Sequence, residues 1–243
     1  MRSYHQFCSL ARALDVVGDR WSMLIVRNLL LGPQRWSELR DGLPGVATNL
    51  LAQRLVQLEA DGLLCQGAAG YALTPIGAEL EPALFALADW GERHWMGPPT
   101  ADDAMRLRYL MTSMRRRLLP GPIHARVALW VGDQGFDVRL GPAPTVEPLA
   151  NDGLGAVGRA DGRAEHGILG DEGAPRDFAA TVRCDGPTLQ RLLFVAEPWP
   201  ELRAQGLVQV DGDERAIAAW LQSWPAMRLV GEGDDVQAIE ASA

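Results

Sequence analysis

LPGVATNLLAQRLVQLEADGLL (43–64) decides the fold of the first hundred residues. Leu51, Leu55 and Leu58 fall at i, i+4 and i+7, one apolar stripe of a helix. At about 100° per residue, Asn49, Gln53 and Gln57 point away from that stripe, with Ala60 beside them. A leucine stripe alone fits any buried helix. A row of uncharged amides opposite it is unusual for a merely solvated face. Asn and Gln present paired donors and acceptors that match base edges, notably adenine N6 and N7. Pro44-Gly45 supplies a turn before the helix, and Asp61-Gly62 ends it.

The neighbours give this helix its setting. Trp36-Ser37-Glu38-Leu39 reads as a short helix before it. Leu63-Leu64 and Gly70–Thr74 read as two strands of a hairpin after it. Short helix, turn, longer helix and hairpin, in that order, form a winged helix-turn-helix.

Five stretches then carry a family resemblance: ALDVVGDRW (13–21), LLLGPQRWSELRDGLPGV (29–46), LLAQRLVQLEADGLL (50–64), YALTPIGAEL (71–80) and LADWGERHW (87–95). The run from Cys8 to Trp95 resembles the HxlR family of bacterial transcription regulators, relatives of the MarR type. The resemblance implies DNA contact through Thr48, Asn49, Gln53, Gln57 and Arg54, with Arg35 and Ser37 where the family meets phosphate. Two departures stand out. Ala47 occupies the place of the usual capping Ser or Thr, so the cap is expected at Thr48 or Asn49. The wing, QGAAG (66–70), is short and lacks the arginines that would grip a minor groove.

Charge fits a specific reader of DNA better than a general one. The 243 residues are 47% hydrophobic and 22% charged, the balance of a globular protein, with net charge −8. That sign excludes a generic nucleic-acid coat. Yet up to Leu55 there are seven Arg (2, 12, 20, 27, 35, 40, 54) against four acids, Asp15, Asp19, Glu38 and Asp41. The acid gathers towards the C-terminus. No lysine occurs, which with abundant Ala and Gly points to a GC-rich bacterial genome. There is no signal-peptide pattern and no apolar run of membrane-spanning length, so the cytoplasm is the expected compartment. Cys8, Cys65 and Cys184 are too scattered for a disulfide framework or a zinc site.

Around the reading helix, residues 5–17 are expected as a first helix with Phe7, Leu10, Ala11 and Leu14 on one face. Asp19 is expected to cap a second, with Trp21, Leu24, Ile25 and Leu29 as core. From Pro75 a long helix is expected, with Pro82 near its start or at a kink. Its stripe of Leu84, Leu87, Gly91 and Trp95 extends past what a small domain covers, and is assigned to a homodimer interface. Arg54 flanks the buried stripe and suits a tie within the domain as well as a DNA contact. The resemblance adds a redox candidate, because Cys8 stands where many relatives have an N-terminal cysteine and some sense oxidants. His5 and Arg12 lie one turn away on either side.

Gly97-Pro98-Pro99 marks a boundary, and Thr100–Asp103 reads as a capping box. The helix that follows has Leu107, Leu110, Met111, Met114 and Leu118 on one side and five arginines (106, 108, 115, 116, 117) on the rest. Those arginines suit a solvated face or a partner for the acidic tail, with DNA flanks as an alternative. From Ile123 the period changes to two. Strands are expected over 125–131 and 135–140, near 165–169, over 178–184 and within 206–213, with helices around Leu189–Leu193 and Ile217–Trp224. FAATVRCDGPTLQRLLF (178–194) and LRAQGLVQVDGDERAIAAWLQSW (202–224) resemble the sterol-carrier-protein-like fold, with an insertion over 142–175. The resemblance implies an apolar tunnel, for which Phe136, Phe178, Phe194 and Trp199 are the lining candidates.

The expected class is therefore α+β. A winged helix-turn-helix DNA-binding and dimerisation domain spans 1–97, with a connecting helix over 98–120. A sterol-carrier-like ligand-binding sandwich spans 121–230, and an acidic tail 231–243. The expected function is a one-component, ligand-responsive regulator, a repressor, binding a pseudo-palindromic operator as a homodimer. Double-stranded DNA, a second copy and a small lipophilic effector are the expected partners, without a cofactor, metal or membrane. The alternatives are a lipid or small-molecule carrier, an enzyme accessory protein, or a thiol redox regulator through Cys8. No catalytic constellation is present: the four His (5, 94, 124, 166) are isolated and no nucleophile elbow or phosphate-cradling Gly motif occurs.

Overall fold

The computed structural model describes residues 3–97, 100, 103–149, 178–195 and 197–224. Two compact units divide the described chain, one running to Arg116 and including 193–195, the other covering the described residues of 117–192 and 197–224.

The first unit opens with α1 (Ser9–Val17) and α2 (Ser22–Leu29). Only Ala11 of α1 is buried; Phe7, Leu10 and Leu14 stay exposed, so the apolar face of this helix has no cover within the chain. Leu24 is also exposed, whereas Ile25 and Leu29 are core. Asp19 does not cap α2 with its side chain; its backbone carbonyl accepts from Ser22 N, and Trp21 at the cap is left-handed, with φ 83°. Gly32 and Pro33 break the chain, and α3 (Trp36–Asp41) follows.

Gly45, with φ 85°, turns α3 into α4 (Thr48–Ala60). The predicted stripe is the buried one: Leu51, Leu55 and Leu58 pack with Ile25, Leu39 and Leu43. Each such leucine contributes roughly 1.5–3 kcal/mol by leaving water. The expected cap does not form. Ala47 is the N-cap with no side-chain bond, and Asn49 Oδ1 accepts from Leu50 N at 2.9 Å.

The wing is β1 (Leu64–Gly67) and β2 (Gly70–Leu73), antiparallel, with Ala68 and Ala69 at its tip. Gln34 extends it, since Gln34 N donates to Tyr71 O at 2.9 Å and Tyr71 N to Gln34 O at 2.8 Å. Gly70 permits this approach: a Cβ there would lie 2.3 Å from Gln34 O. Thr74 caps α5 (Pro75–Ala78), accepting from Gly77 N. The single long helix expected from Pro75 is two, because α6 (Glu81–Trp95) starts afresh with Pro82 in its first turn. Proline has no N–H to give and fits where none is needed.

The predicted capping box at Thr100 closes on itself, with Thr100 N donating to Asp103 Oδ2 at 2.7 Å, and α7 (Leu107–Arg117) begins four residues later. The α7 arginines are not a solvated face. Arg108 Nη1 donates to Asn28 O at 2.9 Å, Arg106 Nε to Asp41 O at 3.3 Å and Tyr109 Oη to Gly42 O at 2.7 Å. Arg115 makes a two-point pair with Glu81, at 2.6 and 2.9 Å, and Arg116 bonds both Asp89 and Glu92. These bonds run to helix C-terminal carbonyls and to α6 carboxylates, the groups that most favour a cation. Arg27 stacks on the Tyr109 ring, 3.9 Å from its centroid, and burial lowers the pKa values of Arg27 and Arg108. The acidic tail lies outside the described residues.

The second unit contains β3 (Ala125–Val131), β4 (Gln134–Leu140), β5 (Thr145–Pro148), β6 (Ala180–Cys184) and β7 (Gln209–Gly212). Their order is β5-β4-β3-β6-β7, antiparallel except for the β3–β6 pair. Register aligns Val127, Leu129, Phe136, Val138 and Val182 on one buried face. The other carries Asp137, buried, accepting from Arg126 Nη2 at 2.9 Å and Arg139 Nε at 2.8 Å. Helices α8 (Gly186–Gln190), α9 (Trp199–Ala204) and α10 (Glu214–Gln222) complete the unit, and a π turn over Arg191–Val195 follows α8 in the chain. Trp220 of α10 is buried, and that helix packs on β3 and β6. β5 lies where sequence reading placed an insertion; its Pro148 is tolerable because the strand is at the sheet edge. The strand expected near 165–169 lies outside the described residues.

Candidate nucleic-acid interface

Helix α4 presents Thr48, Asn49, Ala52, Gln53 and Val56 to solvent, opposite the leucines that anchor it. Asn49 and Gln53 therefore stand where the periodicity put them. Val56 stands among them, 68% exposed, an apolar residue that a search for polar side chains does not find. The same helical wheel finds it.

Two members of the expected set turn elsewhere. Gln57 is half-buried and its Nε2 donates to Asp61 Oδ2 at 3.1 Å. Arg54 bridges to Asp19, Nη1 to Oδ2 at 2.5 Å, with 21% of its side chain exposed. Both line a cleft of about 630 Å³ behind α4, shared with Leu14, Asp15, Asp19 and Ser22. Glu59, beyond Val56, accepts from Gln66 N at 3.1 Å and ties the helix to the wing.

Arg35 and Ser37 are exposed at the N-terminus of α3. Glu38 Oε2 accepts from Arg35 N at 2.6 Å, fixing the backbone and leaving the guanidinium outside. Arg40 lies over the Trp36 ring and pairs with Asp41 at 3.2 Å, so its charge is partly spent locally. The wing tip is Gly67-Ala68-Ala69-Gly70, without a basic side chain.

The other predicted residues separate by burial. Leu84 belongs to the unit's own core, packed with Val26 and Leu30, and so is not part of an outward stripe. Leu87 and Trp95 are exposed, at 55% and 75%, and Gly91 is half-buried. Trp90, exposed beside them with its ring 6.2 Å from that of Trp95, extends the patch. Cys8 is exposed just before α1. Phe136 is buried opposite Leu129. Phe178 is half-buried under Arg126 at 4.4 Å, and Trp199 lies under Arg203 at 5.5 Å. The Phe194 side chain lies outside the described residues. Among the described residues no group of three metal-ligating side chains occurs, and no helix is long and apolar enough to cross a membrane.

Comparison with known proteins matches residues 16–98 to the family described as HxlR-like helix-turn-helix. The uncharacterized HTH-type transcriptional regulator YtfH of Escherichia coli (strain K12) is 39% identical over 92 residues, 35% of this chain and 73% of that protein. YvaP of Bacillus subtilis (strain 168), described in the same words, is 34% identical over 98 residues, 37% of this chain and 90% of that protein. Among solved structures, the redox regulator HypR in its reduced form is 29% identical, covering 35% of this chain and 92% of its own, with a TM-score of 0.34. The relatives' similarity, the winged fold and the outward amides of α4 converge: the chain belongs to the HxlR-like helix-turn-helix family, and is a DNA-binding transcriptional regulator.

Proposed function

We propose that this regulator is a homodimeric, one-component repressor whose second unit, over 121–230, is a sterol-carrier-like sensor for a small lipophilic effector. The observation that carries the reading is the grip of α7 on the DNA-reading unit. Arg108 and, just before the helix, Arg106 hold the carbonyl ends of α2 and α3, Arg115 and Arg116 hold the carboxylates of α6, and the second unit begins at Arg117. A ligand alters DNA affinity only by favouring one arrangement of two reading heads. A helix bonded to both the positioning helix and the exposed Leu87–Trp95 patch is suited to transmit that preference. The lipophilic effector rests on the resemblance of 178–194 and 202–224 to the sterol-carrier-protein-like fold.

Native mass spectrometry of the purified full chain should show a co-purified small molecule, and its removal should shift operator affinity. A chain ending at Pro120 should still bind operator as a dimer and lose that shift. Retained response in the truncation overturns the sensor assignment. A ligand bound without any shift in DNA affinity favours the carrier reading.

The exposure of Cys8 favours a second reading, a thiol switch. Diamide treatment should then change operator affinity in step with Cys8 modification. Unchanged affinity at full modification removes that reading.

A further inference from the structure

From Thr48 to Val56 the exposed arc of α4 carries no charge. Thr48, Asn49, Ala52, Gln53 and Val56 span about 140° of the helix at 100° per residue, and Val56 falls near the middle of them. The nearest arginine, Arg54, is paired with Asp19, and Glu59 is engaged by the wing strand. Base pairs differ in what they offer such a surface. Guanine O6 and N7 are two acceptors, matched best by a bidentate Arg or Lys, and the arc has neither. Adenine N6 and N7 are a donor and an acceptor, matched by Asn and Gln amides. Thymine alone adds a methyl group to the major groove, which an apolar side chain can cover.

Val56 is 68% exposed, branched, and held rigid at χ1 by the helix, next to the two amides. On a surface meant only for water it contributes nothing. Resting on the assignment of α4 as the reading helix, we infer that α4 reads A·T base pairs, with Asn49 and Gln53 on adenine edges and Val56 against a thymine 5-methyl group. The preference is then for A·T steps in a genome whose protein composition points to GC-rich DNA, which makes such sites sparse.

The test begins with selection from a random-sequence duplex library by the full chain. The half-site should contain A·T pairs where Gln53→Ala or Asn49→Ala relaxes the preference. Replacing the contacted thymine by deoxyuridine removes one methyl group, and should weaken wild-type binding about threefold to fivefold. Val56→Ala should bind thymine and uracil duplexes equally, and Val56→Thr, which keeps a methyl, should retain the difference. All four variants change exposed side chains and leave the core untouched. A G·C half-site at the positions governed by Gln53, or equal wild-type affinity for thymine and uracil duplexes, overturns the inference. If neither Gln53→Ala nor Asn49→Ala alters the selected sequence, the assignment of α4 itself fails, a result separable from any effect at Val56.

Discussion

Arg54 reaches back from α4 to Asp19, with Nη1 2.5 Å from Oδ2, and so leaves the exposed face of the helix. The pair joins the reading helix to the α1–α2 turn. Asp19 keeps 61% of its side chain in water, which holds the value of the pair to about 1 kcal/mol or less. Arg54→Ala should therefore cost little in a urea titration and leave base preference unchanged. With Asp19→Ala the two losses should be less than additive, since each removes the same bond. A changed base preference in Arg54→Ala would return this residue to the interface.

Gln53→Ala and Arg35→Ala should fail in different ways. Loss of the amide should relax one operator position at a cost of about 1–3 kcal/mol. Loss of Arg35 should weaken all sequences alike and lower the slope of log K against log salt by about one phosphate contact. Footprint titration at several salt concentrations separates the two, and base-specific loss in Arg35→Ala would overturn the phosphate assignment.

Leu87, Trp90 and Trp95 on α6, and Phe7, Leu10 and Leu14 at α1, are the exposed apolar side chains expected to pair two copies. The dimer should set its recognition helices about 34 Å apart, one turn of DNA. Leu87→Asp with Trp95→Asp should sediment as a monomer at micromolar concentration and keep its helical circular dichroism. A wild-type monomer that still binds operator with full affinity would reject the dimer.

Arg116 has 7% of its side chain exposed between Asp89 and Glu92, the latter 15% exposed. Arg116→Met takes this cation from Glu92, whose carboxylate has poor access to water while Asp89 stays half in water, and should cost about 3 kcal/mol. Arg40→Ala, at the exposed pair with Asp41, should cost less than about 1 kcal/mol. Equal costs by denaturation would show that α7 is not held as described.

Asp15 ties down the N-terminal segment, accepting from Tyr4 N at 2.8 Å and Ser3 Oγ at 3.0 Å. The Tyr4 backbone bond, chiefly, holds its pKa below the ordinary 3.8, with Ser3 and Arg12 adding to it. A depressed carboxylate stabilises the fold above its unfolded value and loses that effect as pH falls through the folded one. Hydrogen exchange at Tyr4 N should accordingly stay slow at neutral pH, relative to Asp15→Asn, and the two should converge well below pH 4.

Local patterns determined much of this protein. The stripe Leu51–Leu55–Leu58, the turns at Gly45 and Gly62 and the alternation in β3 and β4 are short-range consequences of 3.6- and 2-residue periods, legible without a partner. The outward set Asn49 and Gln53 followed from the same geometry. Tertiary structure decided the long side chains. Whether Arg54 or the arginines around α7 face outward depends on which carbonyl or carboxylate another segment brings within reach. Asp19, Asn28 and Glu81 are not readable from spacing, whereas Gln57 and Asp61 are an i,i+4 pair of one helix. It also decided Leu84 against Leu87. Both lie on one apolar helix, but only Leu84 meets Val26 and Leu30, and that difference arises from how α2 crosses α6.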